Sequence, residues 1–165
     1  MTWTIEQAID TLIADVPGAP FPDTVDTVKV GDASQQLTGI VITFLTTCDV
    51  IEQAANLGAN LIITHEPTFY NHPDERGWLK DHAVYGAKLK LAEEKGLVIW
   101  RFHDYLHSLP PDSTVMGLVH ALNWESYQLP ERPSMCQIPP MALLELGQLI
   151  KHRLSLPTLR MVGDL

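Results

Sequence analysis

The sequence predicts an α/β fold: a mostly parallel sheet built from βαβ units, with helices packed on it and a metal site at the carboxyl ends of its strands. Three observations lead to this class. Short β-branched segments alternate with segments of helical period, which is typical of parallel crossover units. Glycines follow two of the predicted helices, where chains commonly leave a helix. Two predicted strands run directly into histidine, at the sheet edge where such folds bind ligands.

The periodicity assigns the elements of the first 124 residues. Apolar residues at helical spacing follow Thr4 and Thr47, a residue type that caps helix starts. The segment 37–47 is β-branched and largely apolar, so we expect a buried strand there. The predicted elements are a helix over 4–16, strands over 26–31 and 37–47, a helix over 48–59, a strand over 60–65, a helix over 80–96, a strand over 97–103, a loop over 104–113 and a helix over 114–124.

The domain organisation follows from this order. Residues 1–124 are predicted to form an α/β metal-site domain, and residues 125–165 a connector with a helix over 139–154 and a strand over 157–165. The helix has prolines at its start, where their missing N–H costs nothing. Because a strand at the end of a domain leaves its partner uncovered, we expect 125–165 to be the start of a missing or reduced second half.

The composition excludes some classes of function. Asp and Glu number 20 against 11 Lys and Arg, which argues against nucleic-acid binding because that needs a basic surface. No stretch has the roughly 18 apolar residues that a membrane span needs. Two cysteines without metal-type spacing indicate a reducing compartment, so we expect a cytoplasmic protein.

Candidate metal ligands follow the two strands that end in histidine. Strand 60–65 leads to His65 and Glu66, and strand 97–103 leads to His103, Asp104 and, four residues after His103, His107. If the strands are neighbours, their ends lie about 5–10 Å apart. Imidazole and carboxylate ligands suit Zn, Mn, Fe, Co or Ni, and a cluster without cysteine is unlike a closed structural zinc site. We therefore predict a divalent metal site formed by these five residues.

Each of these residues also has a structural interpretation. A lone histidine at a strand end commonly bonds a backbone carbonyl, and Glu66 could be a solvated loop acid. Asp104 could turn the following loop, or orient a ligand imidazole from behind. The presence of ligand-type residues at two strand ends favours metal binding. The remaining histidines are predicted to lie on the surface or to have no role: His72, His82, His120 and His152.

Two motifs resemble those of the Nif-three-like family of dinuclear-metal proteins, also known as GTP cyclohydrolase I type-two homologues. Residues 64–69, THEPTF, stand where the family has Thr-His-His-Pro and an aromatic residue. Residues 103–107, HDYLH, stand where it has His-Thr-Asn-Leu-Asp. By this resemblance Glu66 replaces a ligand histidine and His107 replaces the bridging aspartate. The family's C-terminal ligands, a His and a Glu at helical spacing, have no counterpart in 125–165.

The resemblance implies a metal-dependent hydrolase that acts on a small polar or nucleotide-like substrate. It also implies a homo-oligomer, a hexamer in this family. The alternative is a non-enzymatic module for metal-binding assembly or protein interaction. Substrate, metal identity and the number of ions stay open at this point.

Overall fold

A computed structural model describes residues 2–164. Its α-helices are α1 (Ile5–Ala14), α2 (Cys48–Asn56), α3 (Ala83–Glu94), α4 (Asp104–Ser108), α5 (Ser113–Ala121) and α6 (Leu143–Arg153). Its strands are β1 (Val28–Val30), β2 (Ile40–Thr43), β3 (Leu61–Thr64), β4 (Val98–Arg101), β5 (Gln128–Leu129) and β6 (Arg132–Cys136). Short 3-10 helices cover Gly77–Leu79 and Glu125–Tyr127. The chain divides into two compact units, one ending at Ser108 and the other beginning at Leu109.

The first unit contains a four-stranded sheet in the order β1-β4-β3-β2. β3 pairs in parallel with both β2 and β4, whereas β1 runs antiparallel to β4. The prediction of an α/β fold with a mostly parallel sheet is therefore confirmed. Thr43 pairs with Thr64, which in turn pairs with Arg101. The three parallel strands consequently end in register, and the residues that follow them leave the sheet at one edge.

The core of this unit lies around the two central strands. Every residue of β3 and β4 is buried. Ile62 and Ile99 pack in one cluster with Ile51 of α2 and Ala92 of α3. Each large aliphatic side chain buried in this way contributes about 1.5–3 kcal/mol relative to exposure. The site-bearing ends of β3 and β4 are thus extensions of the most firmly packed part of the unit.

Local signals set the helix ends where the sequence predicts them. The Thr4 hydroxyl accepts the Gln7 amide while the Gln7 side chain accepts the Thr4 amide, which completes a capping box at α1. Thr47 caps α2 in the same manner through the amide of Val50. Gly58, after α2, has a φ of 73°, a left-handed conformation that glycine adopts without steric cost. The threonines and the glycine at these helix ends therefore act as the sequence predicts.

Two predictions about the first unit are wrong. The strand at 37–47 shortens to β2, and it is an edge strand rather than a buried one: Ile42 is 79% exposed. Its apolar composition resembles that of a central strand, but no described strand pairs with its outer edge. The predicted loop at 104–113 begins instead with the short helix α4. This single helical turn places His103 and His107 on the same face, which an irregular loop would not require.

The second unit contains α5, a β5–β6 antiparallel pair and α6. The predicted strand over 157–165 is not formed in 157–164, and residue 165 lies outside the described residues. A strand needs a partner for its backbone groups. The strands of this unit, β5 and β6, pair with each other, and no strand forms beside them from 157–164. The division of the chain into 1–124 and 125–165 stays a prediction. Among the described residues, none of the helices has both the length and the apolarity that a membrane crossing requires.

Candidate metal centre

Three histidines meet at the edge where β3 and β4 end. His65 follows β3 directly, His103 lies just after β4, and His107 lies within α4. The ring centroid of His65 is 4.6 Å from that of His103 and 5.1 Å from that of His107. The centroids of His103 and His107 are 4.6 Å apart. One nitrogen from each ring lies within 4.8 Å of the others. The predicted convergence of these three imidazoles is present.

The sheet and one helical turn create this arrangement. Backbone hydrogen bonds continue the parallel ladders beyond the strands: the His65 amide donates to the Thr43 carbonyl at 3.2 Å, and the Phe102 amide to the Thr64 carbonyl at 2.9 Å. The His107 amide donates to the His103 carbonyl at 3.0 Å. Residues four apart on one turn share a face, so the two rings of this loop face the ring that follows β3.

Two carboxylates fix the backbone and the ring of His103 from behind. Asp26, which is buried, accepts the amides of His103 and Tyr105, each at 2.8 Å. Asp104 accepts the Thr24 hydroxyl at 2.9 Å and the Val25 amide at 3.0 Å through Oδ2. Its other oxygen, Oδ1, lies 2.9 Å from His103 Nδ1. The segment before β1 and the loop after β4 are thereby joined through carboxylate bonds.

Asp104 sets the tautomer of His103. Burial raises the pKa of this carboxyl, but the Val25 amide, the His103 imidazole and the Thr24 hydroxyl outweigh burial and lower its pKa to about 2. The ionised carboxylate can only accept, so Nδ1 of His103 carries the proton. The lone pair is then on Nε2, which is the form in which imidazole binds metals, with a carboxylate behind it.

His65 has a buried nitrogen that protein atoms do not satisfy. Its Nδ1 is buried and has no hydrogen-bond partner among residues 2–164, an arrangement that costs about 1–3 kcal/mol. Burial lowers the pKa of this imidazole, and His103 and His107 lower it further, against the smaller opposing effects of Glu66 and the Phe102 backbone. The ring of Phe44 stacks on the His65 ring, with the two ring centroids 5.3 Å apart. An uncharged imidazole with an unpaired nitrogen, beside two more imidazoles, fits the donor set that a divalent transition metal prefers.

The other predicted residues are placed differently. Glu66 belongs to neither group of clustered ligand atoms found among the described residues, so its assignment as a ligand stays a prediction. Asp104 belongs to a second group, in which its oxygen and nitrogens of His72 and His103 lie within 4.8 Å of one another. His72 was predicted to lie on the surface; it is exposed, but it also borders this cluster.

A buried arginine, which the sequence reasoning missed, connects the two sides of the site. Arg101, the last residue of β4, is fully buried. Its Nε donates to the carbonyl of His65 at 3.0 Å, and its Nη1 donates to the carbonyl of His72. Its Nη2 lies 3.3 Å from His72 Nδ1. An arginine at the end of an otherwise apolar buried strand is the signal that could have identified it, since buried charges need several partners.

The comparisons with known proteins agree with this architecture. The family model for Duf34/NIF3 (NGG1p interacting factor 3) matches residues 24–165. A curated relative from Clostridium perfringens, named "GTP cyclohydrolase 1 type 2 homolog", is 23% identical over 168 residues, which is 95% of this chain. The chain spans 63% of that relative's length, less than two thirds.

Solved structures show the same fold at low sequence identity. A hypothetical protein of Staphylococcus aureus is 18% identical with a TM-score of 0.67, over 98% of this chain and 67% of that one. HcgD from Methanocaldococcus jannaschii is 19% identical with a TM-score of 0.55, over 92% of this chain and 60% of that one. A Bacillus cereus protein related to NIF3 has a TM-score of 0.58 at 20% identity, over 73% of this chain and 32% of that one. Because the family model covers most of its length, the chain belongs to the Duf34/NIF3 family.

Proposed function

We propose that this chain binds a divalent metal ion through His65, His103 and His107 and uses it to hydrolyse a small polar or nucleotide-like substrate. The observation that carries the proposal is the meeting of three imidazoles at one sheet edge, with ligand atoms within 4.8 Å of one another. The buried Nδ1 of His65 supports it, because this atom has no hydrogen-bond partner among the described residues and packing of the rings alone would leave it unsatisfied. Zn, Mn, Fe, Co and Ni all suit this donor set, and the number of ions, one or two, is part of the test.

The protein's own groups have separable roles in this proposal. His103 is oriented by Asp104, and His65 and His107 complete one side of the site. A divalent ion held there supplies Lewis-acid chemistry, which polarises a carbonyl or phosphoryl oxygen and acidifies water. We include Glu66, which follows His65 at the same edge, as a further ligand. The metal centre at the strand ends of the βαβ units is part of the same proposal.

Metal binding tests the proposal directly. We expect the purified chain to bind Zn²⁺, and His65→Ala and His103→Ala each to weaken binding by at least about 100-fold, because loss of outer partners alone costs 10–100-fold. His152→Ala is the matched control: it removes an exposed histidine of the second unit. Binding that is unchanged in His65→Ala would contradict the metal site.

Turnover tests the reaction. The curated relative carries the name of a GTP cyclohydrolase homolog, so GTP belongs among the nucleotides and phosphoesters to be assayed. We expect hydrolysis that needs added metal and is lost in His65→Ala. Hydrolysis that continues at the wild-type rate in this variant would show that the cluster does not carry the reaction.

A second function is a non-enzymatic interaction module. The exposed apolar side chains at the β2 edge favour it: Ile42 is 79% and Phe44 67% exposed, and edges of this kind commonly pair with partners. Metal binding without turnover of any substrate class would support this function. We also propose a homo-oligomer, a hexamer by family resemblance, which a mass measurement in solution would test. A cytoplasmic location agrees with the two free cysteines, Cys48 and Cys136.

A further inference from the structure

His72 borders the metal centre without having been predicted as part of it. Its ring centroid is 4.9 Å from that of His103, at an angle of 74°. One of its nitrogens lies within 4.8 Å of a nitrogen of His103 and an oxygen of Asp104. Unlike the three half-buried imidazoles of the cluster, this ring is exposed. It could therefore act as a further ligand or as a group that contacts a bound molecule.

The chemistry of Arg101 distinguishes these two roles. A guanidinium has five N–H donors and no acceptor, and here all three of its nitrogens are engaged, two with carbonyls and Nη2 with His72 Nδ1 at 3.3 Å. His72 Nδ1 must therefore present a lone pair to Arg101. Turning the ring over would place a C–H group against Nη2 and leave a donor of a fully buried side chain unpaired.

The proton of His72 is consequently on Nε2. This is the reverse of His103, whose Nδ1 donates to Asp104 and whose Nε2 has the lone pair. Metals bind the unprotonated nitrogen of a neutral imidazole. In His72 that nitrogen is already occupied by a buried cation, which also opposes a second positive charge at the same atom.

From these contacts we infer that His72 is not a metal ligand but a fixed hydrogen-bond donor, whose Nε2–H binds an anionic oxygen of the substrate, of the phosphate or carboxylate class. Asp104 is the acidic member of the cluster that His72 borders, and both of its oxygens already accept hydrogen bonds, Oδ1 from His103 and Oδ2 from Thr24 and Val25. The Nε2 proton of the exposed ring is thus left for a bound molecule. The substrate half of this inference rests on the proposed function, whereas the tautomer does not.

Nuclear magnetic resonance of ¹⁵N-histidine in the whole chain tests the tautomer. We expect long-range correlations to show His72 protonated on Nε2 and His103 protonated on Nδ1, before any metal is added. On addition of Zn²⁺, Nε2 of His103 should shift and the nitrogens of His72 should keep their pattern. A proton on Nδ1 of His72, or a metal-induced shift of its Nε2, would overturn the inference. The His72 signals are identified by their absence from His72→Gln.

Two matched variants test the donor. The amide nitrogen of His72→Gln reaches the position of Nε2, whereas that of His72→Asn reaches only the position of Nδ1. We expect both to keep Zn²⁺ affinity within about threefold of the wild type, because neither removes a ligand. Inorganic phosphate should bind the Zn²⁺-loaded chain about tenfold more weakly in His72→Asn, because that variant loses one hydrogen bond to a charged group. In His72→Gln, which keeps the donor, the phosphate affinity should stay within about threefold of the wild type.

The outcomes separate this inference from the proposed function. If the chain binds no metal, the proposed function fails, but the tautomer is still measured in the metal-free protein. If metal binds and both variants lose at least about tenfold in Zn²⁺ affinity, His72 is a ligand and the inference is wrong. If the metal-loaded wild type does not bind phosphate or acetate, or if both variants bind phosphate as the wild type does, the donor role is wrong.

Discussion

The loops that follow β3 and β4 deliver histidines to the same volume, but the charged groups that contact their histidine rings have opposite signs. In the β4 loop (102–108), carboxylates accept backbone amides and the Nδ1 proton of His103. In the β3 loop (65–76), the carboxylate of Asp74 accepts the amides of Thr68 and Phe69, but the histidines themselves contact a cation. The buried Arg101 donates to the carbonyls of His65 and His72, and the half-buried Lys88 donates to that of Thr68. Both solutions satisfy the backbone, but they leave the histidine rings in different states.

Under the proposed function, this difference would select which of the histidines bind a cation. A carboxylate behind an imidazole takes the proton at Nδ1 and leaves the far nitrogen able to bind a metal. A guanidinium behind an imidazole takes the lone pair and leaves the far nitrogen protonated. The ring centroids of His103 and His72 are 4.9 Å apart, so the opposite roles that we propose for them would depend on their partners rather than on their position in the fold.

The largest effect is expected from removing the carboxylate that holds the β4 loop. In Asp26→Asn one of the two amides, of His103 or Tyr105, faces an NH₂ group instead of an oxygen. We expect unfolding free energy to fall by about 3 kcal/mol, since a buried donor loses a charged acceptor. Urea denaturation measures this loss. Asp23→Asn, at an exposed position nearby, should change stability by less than about 0.5 kcal/mol; equal losses in the two variants would contradict the role of Asp26.

A smaller effect is expected from removing a cation that holds the β3 loop. Lys88 of α3 donates to the carbonyls of Thr46 and Thr68, and burial lowers the pKa of its ammonium group. Lys88→Met keeps the aliphatic stem but leaves both carbonyls without this donor, which we expect to cost about 2 kcal/mol in thermal unfolding. Lys90→Met on the same helix removes only an exposed pair with Glu94 and should cost less than about 0.5 kcal/mol. A loss no larger than this in Lys88→Met would show that the cation is dispensable.

The carboxylate behind His103 can be converted into a donor. In Asp104→Asn, an amide oxygen kept on Thr24 and Val25 directs the NH₂ group at His103 Nδ1. His103 would then take the tautomer of His72, with its proton on Nε2. We expect Zn²⁺ affinity to fall about tenfold, equivalent to about 1.4 kcal/mol. The exposed Asp10→Asn should leave that affinity unchanged, and an unchanged affinity in Asp104→Asn would show that the tautomer does not control binding.

The sequence predicts the parts of this comparison that lie next to each other in the chain. The apolar runs of β3 and β4 end in His65 and His103, and parallel pairing alone brings those ends together. The four-residue spacing places His107 on the same turn. Family resemblance and strand pattern therefore locate the cluster without any knowledge of side-chain contacts.

The partners that decide the state of each ring could not be predicted in this way. Asp26 lies 77 residues from His103, and Arg101 lies 29 residues from His72. No local spacing relates residues so far apart, and both kinds of contact depend on loop conformation. The exposure of β2 was missed for a similar reason, because the position of a strand within a sheet is a property of the pairing order and not of the strand's own composition.

The smallest effect is expected at Thr24, which connects Asp26 and Asp104, the two carboxylate residues that hold the β4 loop. Its hydroxyl donates to Asp104 Oδ2 at 2.9 Å and accepts the amide of Asp26 at 3.0 Å. In Thr24→Val both bonds are lost, but the Val25 amide still donates to the same carboxylate oxygen at 3.0 Å. We expect a stability loss of about 1 kcal/mol in urea denaturation and a change in Zn²⁺ affinity below about threefold.

Thr24→Ser separates the hydroxyl from the methyl group. It keeps both hydrogen bonds, so most of the stability lost in Thr24→Val should be retained. If Thr24→Val weakened Zn²⁺ binding as much as Asp104→Asn, the hydroxyl rather than the charge of Asp104 would be what orients His103. The electrostatic contrast between the two loops would then be incorrect, because a neutral hydrogen bond would be sufficient to select the metal-binding tautomer.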